Sequence, residues 1–216
     1  MTIPRTPSFT LEGRRALVTG ASRGIGLACA AAFAQAGAHV TLAARSAAAL
    51  EEAAAAFRAE GWSAAALPLD ITDTGTVAAA IEAAEPFDIL LNNAGLARHS
   101  VFTETEPTDY DAAMAINVRA AYFIAQAVAK RLIAAGRPGA IVNLSSQMGH
   151  VGGPKRAVYC ATKHAMEGMT KAMALDLGPH GIRVNTVGPT FIETELTKGS
   201  LADPDFRDWV MSKLAL

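Results

Sequence analysis

The chain is poor in cysteine and poor in charge. Its two cysteines, Cys29 and Cys160, lie in alanine-rich stretches of helical pattern. They fit reduced, buried thiols better than a disulfide framework. Charged residues make up only 18% of the 216, and the formal net charge is -1. A balance so near neutrality provides no general basic field for nucleic acid or an anionic membrane, so neither is expected as a partner. No stretch reaches the roughly 18 consecutive apolar residues of a membrane span, and Met1 to Arg15 lacks an apolar run of signal-peptide length. The expected location is therefore the cytoplasm. The five histidines, His39, His99, His150, His164 and His180, form no ligand-spaced cluster, so no metal site is expected. His164 reads as a surface or packing residue, and His150, near Ser146, as a surface loop residue with a substrate-facing role as the alternative. Repeats, low-complexity tails and linkers are also missing, which leaves one domain over residues 1–216 as the economical count.

What the chain does have is a 51% hydrophobic composition, enough for one large core. Short apolar runs bounded by turn residues recur at 16–19, 39–43, 64–68, 89–92, 140–144 and 183–187, and each reads as a buried strand. Alanine-rich segments of helical length separate them at 24–36, 47–60, 74–85, 108–135 and 157–178. Alternating strands and helices with short joins predict an α/β fold: a doubly wound parallel sheet of at least six strands with helices on both faces. The 108–135 segment is apolar on several faces and is expected to be buried, against the core or a second subunit. Met166, Met169 and Met173 recur at helical spacing, which suits core packing, with a dimer seam as the lesser alternative.

The first strand runs directly into Thr19-Gly20-Ala21-Ser22-Arg23-Gly24-Ile25-Gly26 and then an apolar helix. Glycines permit a tight turn and close backbone approach, and a helix N-terminus offers free amides and a positive dipole end. A dinucleotide pyrophosphate suits such a loop, although Gly-x-x-x-Gly-x-Gly differs from the commoner Gly-x-Gly-x-x-Gly spacing. Where many NAD-binding domains place a carboxylate for the adenosine ribose, the second strand ends Ala43-Ala44-Arg45-Ser46. Arg45, with Arg23, can instead grip a 2'-phosphate, so NADP(H) is favoured and NAD(H) is the alternative. Further along, Tyr159 and Lys163 stand four apart on a helix and share a face, where an ammonium favours the ionised phenol. Ser146 precedes them in Asn-Leu-Ser-Ser-Gln.

The glycine loop, Asn92-Asn93-Ala94-Gly95 after the fourth strand, Asn117, Ser146 and Tyr159-x-x-x-Lys163 occur in this order. Together they resemble the short-chain dehydrogenase/reductase family over nearly the whole chain. The resemblance implies hydride transfer between NADP(H) or NAD(H) and a small carbonyl or secondary alcohol. It implies Tyr159 as acid/base, Lys163 lowering its pKa and binding the nicotinamide ribose, Ser146 holding the substrate oxygen and Asn117 supporting a water-linked proton path to Lys163. Gly20, Ser22, Arg23, Gly24, Ile25 and Gly26 would cradle the phosphates, Asp70 and Ile71 would flank the adenine, and Asn93, Ala94 and Gly95 would line the cofactor site. Pro189, Ile192 and Thr194 would close over the nicotinamide, with Thr190 standing where a glycine is often found.

Substrate choice is expected to rest on residues 147–153, on Leu96-Ala97-Arg98 and on the 191–214 segment. Gln147 suits a polyol or sugar, whereas Met148 and Val151 suit an acyl chain or hydrophobic ketone, so both classes stay open. Residues 191–214 are expected to form a mobile lid, with an amphipathic helix at 204–209. Family members usually continue through another helix and a seventh strand, so the resemblance implies a shortened C-terminus at Leu216. Long helices predict a homodimer or homotetramer. A dinucleotide-binding regulatory or assembly protein with little catalysis is the alternative reading.

Overall fold

A computed structural model describes residue 6 and residues 8–212 of the chain. Six strands form one sheet: β1 (Arg15–Thr19), β2 (His39–Ala44), β3 (Ala64–Pro68), β4 (Ile89–Asn92), β5 (Gly139–Leu144) and β6 (Ile182–Val187). Every pairing is parallel, in the order β3-β2-β1-β4-β5-β6. The chain builds outward from β1 to β3, returns to lay β4 beside β1, then builds outward in the other direction. The loops leaving β1 and β4 therefore diverge to opposite faces, and a crevice opens at their C-terminal ends.

Helices α1 (Gly24–Gln35), α2 (Ala47–Ala59) and α3 (Thr74–Ala83) follow the first three strands. Alanine gives them high helix propensity and small buried faces. Ser46 caps α2 and Asp73 caps α3 through side-chain oxygens. The third helix stops at Ala83, two residues short of the predicted end, because Pro86 disfavours helical backbone at Glu85.

Two apolar cores sandwich the sheet. On one face Ala30, Ala34, Leu50 and Phe57 pack against Val18, Val40 and Leu42. On the other, Val77, Ile81, Ile124, Val128 and Leu132 pack against Leu17, Leu90 and Ile141. Complete burial of Ala16, Leu17 and Val18 follows from coverage on both faces, and explains why these strands read as continuous apolar runs.

The single helix expected at 108–135 is three pieces end to end. α4 (Pro107–Met114) passes into a π-helical turn at Ala115–Ala120, which passes into α5 (Ala121–Ala134). By length and composition alone the 107–134 stretch is long and apolar enough to cross a bilayer. Its buried face, Ile124, Val128 and Leu132, is occupied by the sheet. α6 (Ala157–Leu177) buries Met166 fully and sets Met173 against the core. The segment after β6 contains two short helices, α7 (Glu195–Leu201) and α8 (Pro204–Met211), where one was expected. Phe206 and Trp209 of α8 gather around Phe191, with ring centroids 5.6 and 6.3 Å away. The last two residues of the expected lid, 213 and 214, lie outside the described residues.

Candidate active site

The glycine loop sits at the crevice. Gly24 has φ +59, a left-handed conformation that suits glycine, and opens toward Thr194, whose Cγ2 would lie 3.8 Å from an added Cβ. Gly26 is needed for packing, because a Cβ there would come within 2.5 Å of the Gly20 carbonyl oxygen. Arg23 occupies the N-cap of α1 with no side-chain hydrogen bond to the helix, and no acid stands in the first turn. The leading amides of α1 are thus left for an anion, and the loop fits a dinucleotide pyrophosphate. Ser22 and Ile25 are half-buried beside it.

Arg23 and Arg45 are exposed, and neither forms an ion pair among the described residues. Arg45 comes close enough to Asp70 to help hold its carboxyl low, after the larger effect of the Thr72 hydrogen bonds. Asp70 Oδ1 accepts from the Thr72 amide at 2.9 Å and hydroxyl at 2.8 Å. Asp70 is exposed at the crevice, while the Ile71 side chain is buried in the core.

Asn93 ties the two diverging loops together. Its Nδ2 donates to the Thr19 and Gly20 carbonyls at 2.9 and 3.1 Å, and the Asn93 and Ala94 amides donate to Thr19 Oγ1. Ala94, half-buried against the core, and Gly95, exposed, follow it beyond β4.

Deeper in, α6 carries Tyr159, Lys163 and Glu167 on one face. Lys163 Nζ donates to the Leu144 carbonyl at 2.6 Å and lies 5.7 Å from the Tyr159 ring centroid. Burial pulls the lysine down to about 8, with Glu167 opposing that shift. Burial also pushes the Tyr159 phenol up, while Ser146 and Arg156 work in the opposite direction. Lowering of the tyrosine by Lys163, expected from spacing, is not seen: Ser146 and Arg156 are the groups that lower it, and desolvation outweighs them in the free protein. Ser146, nearly buried, begins a 3₁₀ turn at Gln147–Gly149, and its Oγ accepts from the Met148 amide at 3.1 Å.

Asn117 is fully buried in the π turn. Its carboxamide closes a ring with the Leu96 backbone, accepting from the amide at 2.7 Å and donating to the carbonyl at 2.8 Å. Nδ2 also donates to Thr162 Oγ1 at 3.1 Å, and that hydroxyl donates to the Tyr159 carbonyl at 2.8 Å. The side chain therefore anchors the loop after β4 to the start of α6. It makes no direct hydrogen bond to Lys163.

The segment after β6 is held to the catalytic loop. Gln147 N donates to the Pro189 carbonyl at 3.0 Å and Ser145 N to Val187 at 2.8 Å. Thr190 keeps an ordinary backbone, since Lys155 is the one positive-φ non-glycine among the described residues. Ile192 is exposed, and Thr194 faces Gly24 across the crevice. Cys160 is half-buried, its Sγ 3.7 Å from Met148 Sδ.

Glu167 was missed by sequence reasoning. It is nearly buried, with Oε2 accepting from Thr186 at 3.0 Å and Oε1 3.3 Å from His150 Nε2. The detectable signal was its position, four residues beyond Lys163 and eight beyond Tyr159. His150 is thereby a partner for a buried carboxylate, and its 60% exposure makes the contact half solvated.

A crevice at a strand-order reversal, ending at a half-buried Tyr159 beside the buried Lys163 and Ser146, defines a nicotinamide-dependent oxidoreductase of the doubly wound class. The family model for short chain dehydrogenases matches residues 14–205, and the chain belongs to the short-chain dehydrogenase/reductase family. It is 44% identical to gluconate 5-dehydrogenase of Gluconobacter oxydans, covering 95% of this chain and 81% of that one. It is 41% identical to D-erythrulose reductase of Gallus gallus, covering 97% and 84%. Among solved structures, a gluconate 5-dehydrogenase from Burkholderia cenocepacia in complex with NADP and tartrate superposes with TM-score 0.89 at 39% identity, covering 93% and 80%. The enzyme is an oxidoreductase acting on CH-OH and C=O groups.

Proposed function

We propose that the enzyme interconverts a small polyhydroxy ketone and its secondary alcohol with NADP(H), using Tyr159 as proton donor and acceptor. The observation carrying this is the half-buried Tyr159 next to Ser146, with Lys163 one turn along the same helix face. When bound, the cofactor supplies or accepts the hydride. In carbonyl reduction, negative charge grows on the substrate oxygen, where Ser146 donates a hydrogen bond and Tyr159 delivers the proton. Burial keeps the phenol protonated in the free enzyme, which suits it as a donor. Oxidation uses the same group as phenolate. Lys163 would hold the nicotinamide ribose, α1 amides the pyrophosphate, and Asp70 would border the adenine. Gly95, Pro189, Ile192 and Thr194 would border the nicotinamide half.

Arg23 and Arg45, exposed and without ion-pair partners among the described residues, would take the 2'-phosphate. The dissociation constant for NADP is expected to lie below that for NAD, and Arg45→Ala to narrow the gap; calorimetry with both cofactors checks this, and tighter NAD binding would reverse the assignment. The segment beyond Phe191 would act as the lid. The relatives reduce or oxidise sugars and sugar acids by name, which supports a polyhydroxy substrate over an acyl chain. Tyr159→Phe is expected to lose at least about a hundredfold in kcat while retaining cofactor affinity. Near-normal turnover of a ketose by that variant would defeat the assignment.

A further inference from the structure

We propose that Arg156 forms a carboxylate subsite, so that the preferred substrate is a polyhydroxy acid, such as an aldonate or keto-aldonate, with its acid group remote from the reacting carbon. The proposal rests on the hydride-transfer reading above and adds the chemical class of its substrate.

The cation is built into the catalytic pocket. Arg156 is the residue before the first turn of α6, three positions ahead of Tyr159. Its guanidinium carbon stands over the Phe191 ring, 5.7 Å from the centroid, against the segment that follows β6. On the other side it meets Gly153, where an added Cβ would lie 3.3 Å from Arg156 Cδ and 2.9 Å from Met148 Sδ. The backbone delivering it is strained: Lys155, the residue before it, has φ 59, and bulky side chains adopt that conformation only when their surroundings impose it. The Lys155 carbonyl accepts from the Ser100 amide at 3.1 Å. The preceding residue, His99, meets the Tyr159 ring edge-on at 6.2 Å. The turn carrying Arg156 and the loop carrying His99 are therefore fastened to each other beside the phenol.

The charge of Arg156 is also uncompensated. Among the described residues it forms no ion pair with a carboxylate. The charged and titratable groups felt by Tyr159 are Arg156 and Cys160. The one acid near Lys163 is Glu167, which is engaged by Thr186 and His150. A neutral polyol would leave the guanidinium as it stands. A substrate carboxylate would gain a charge-assisted, planar pairing next to an aromatic face, where water competes less well. A fixed cation with no carboxylate partner among the described residues, placed by strained backbone beside the proton-transfer site, is the arrangement expected for reading an acid group.

The test compares two substrates that differ only at the remote carbon. D-gluconate and D-glucitol share the C2–C5 stereochemistry and carry a carboxylate or a hydroxymethyl group at C1. With NADP as oxidant, kcat/KM for gluconate is expected to exceed that for glucitol. Arg156→Gln should reduce the ratio of the two by about tenfold or more, with Arg156→Lys intermediate. Using the ratio cancels any effect of Arg156 on Tyr159, which bears on both substrates alike. Calorimetric binding of gluconate to the NADP complex of the Tyr159→Phe protein gives a second arm free of turnover; Arg156→Gln in that background should weaken it by a similar factor. Turnover that favours glucitol, or a ratio and binding constant indifferent to Arg156, would overturn the subsite while leaving the hydride-transfer reading intact. Tyrosine-independent turnover would instead overturn that reading, and the gluconate binding arm would still decide the subsite.

Discussion

At the scale of single residues, the charge state of the site is governed by burial more than by pairing. Lys163 is pulled down to about 8 by desolvation, and Glu167 is the group that resists this. A lysine lowered from its ordinary value keeps its charge below the shifted pKa and loses it as the pH rises through it. Carbonyl reduction that depends on the ammonium should therefore decline above about pH 8 in the kcat/KM profile of the free enzyme. Glu167→Gln removes a negative charge near the ammonium, so the lysine should fall further and the alkaline limb should move to lower pH. A pH profile of the variant checks this, and an unmoved limb would reduce Glu167 to a packing role. The spacing of Tyr159 and Lys163 was legible in sequence because helical periodicity is a local rule. The outcome of burial was not, since desolvation depends on what folds over α6 from β5, β6 and the loop after Ser146.

Elements were read to different depths for physical reasons. Buried parallel strands are apolar along their whole length and end in turn residues, so β2, β3 and β4 were located within a residue of their observed ends. The π turn at Ala115–Ala120 left no such trace, because an i to i+5 register has no side-chain pattern of its own. Its consequence is local rotation. One extra residue per turn swings Asn117 inward, where its carboxamide meets both polar atoms of the Leu96 backbone. Deleting Ala115 should restore regular α-helical register and take Asn117 off that backbone. Turnover is then expected to fall by about a hundredfold, the usual order for a misplacement near 1 Å, while far-ultraviolet circular dichroism stays near the wild-type signal. Undiminished turnover would mean that the loop after β4 does not need this anchor. The turn at Lys155 was equally invisible, since no residue type there marks a left-handed backbone.

For the whole molecule, doubly wound topology followed from strand and helix alternation, and the switch point between β1 and β4 followed from the topology. Assembly is a separate matter of surface. Tyr122, Phe123 and Ile133 on α5 and Leu175 on α6 are large apolar side chains left exposed, and Leu175 is 80% accessible. Tyr122 and Ile133 line a groove between α5 and α6 together with Met173 and Leu177. We propose that this face pairs with its copy in a homodimer or homotetramer. Light scattering is expected to give a multiple of the chain mass, and Leu175→Glu to shift it toward the monomer; a monomeric wild type would refute the pairing.

The bare N-terminus of α1 has a meaning beyond affinity. Helices α2, α3 and α8 each begin with a side chain that satisfies their first amides, and α1 does not. Without such a cap, the first turn of α1 is the easiest part of the helix to open, and its amides exchange their hydrogens with solvent readily. An anion seated there acts as the missing cap and slows that exchange. The loop therefore reports its own occupancy through protection of the amides after Gly24, in a protein that need not be turning over.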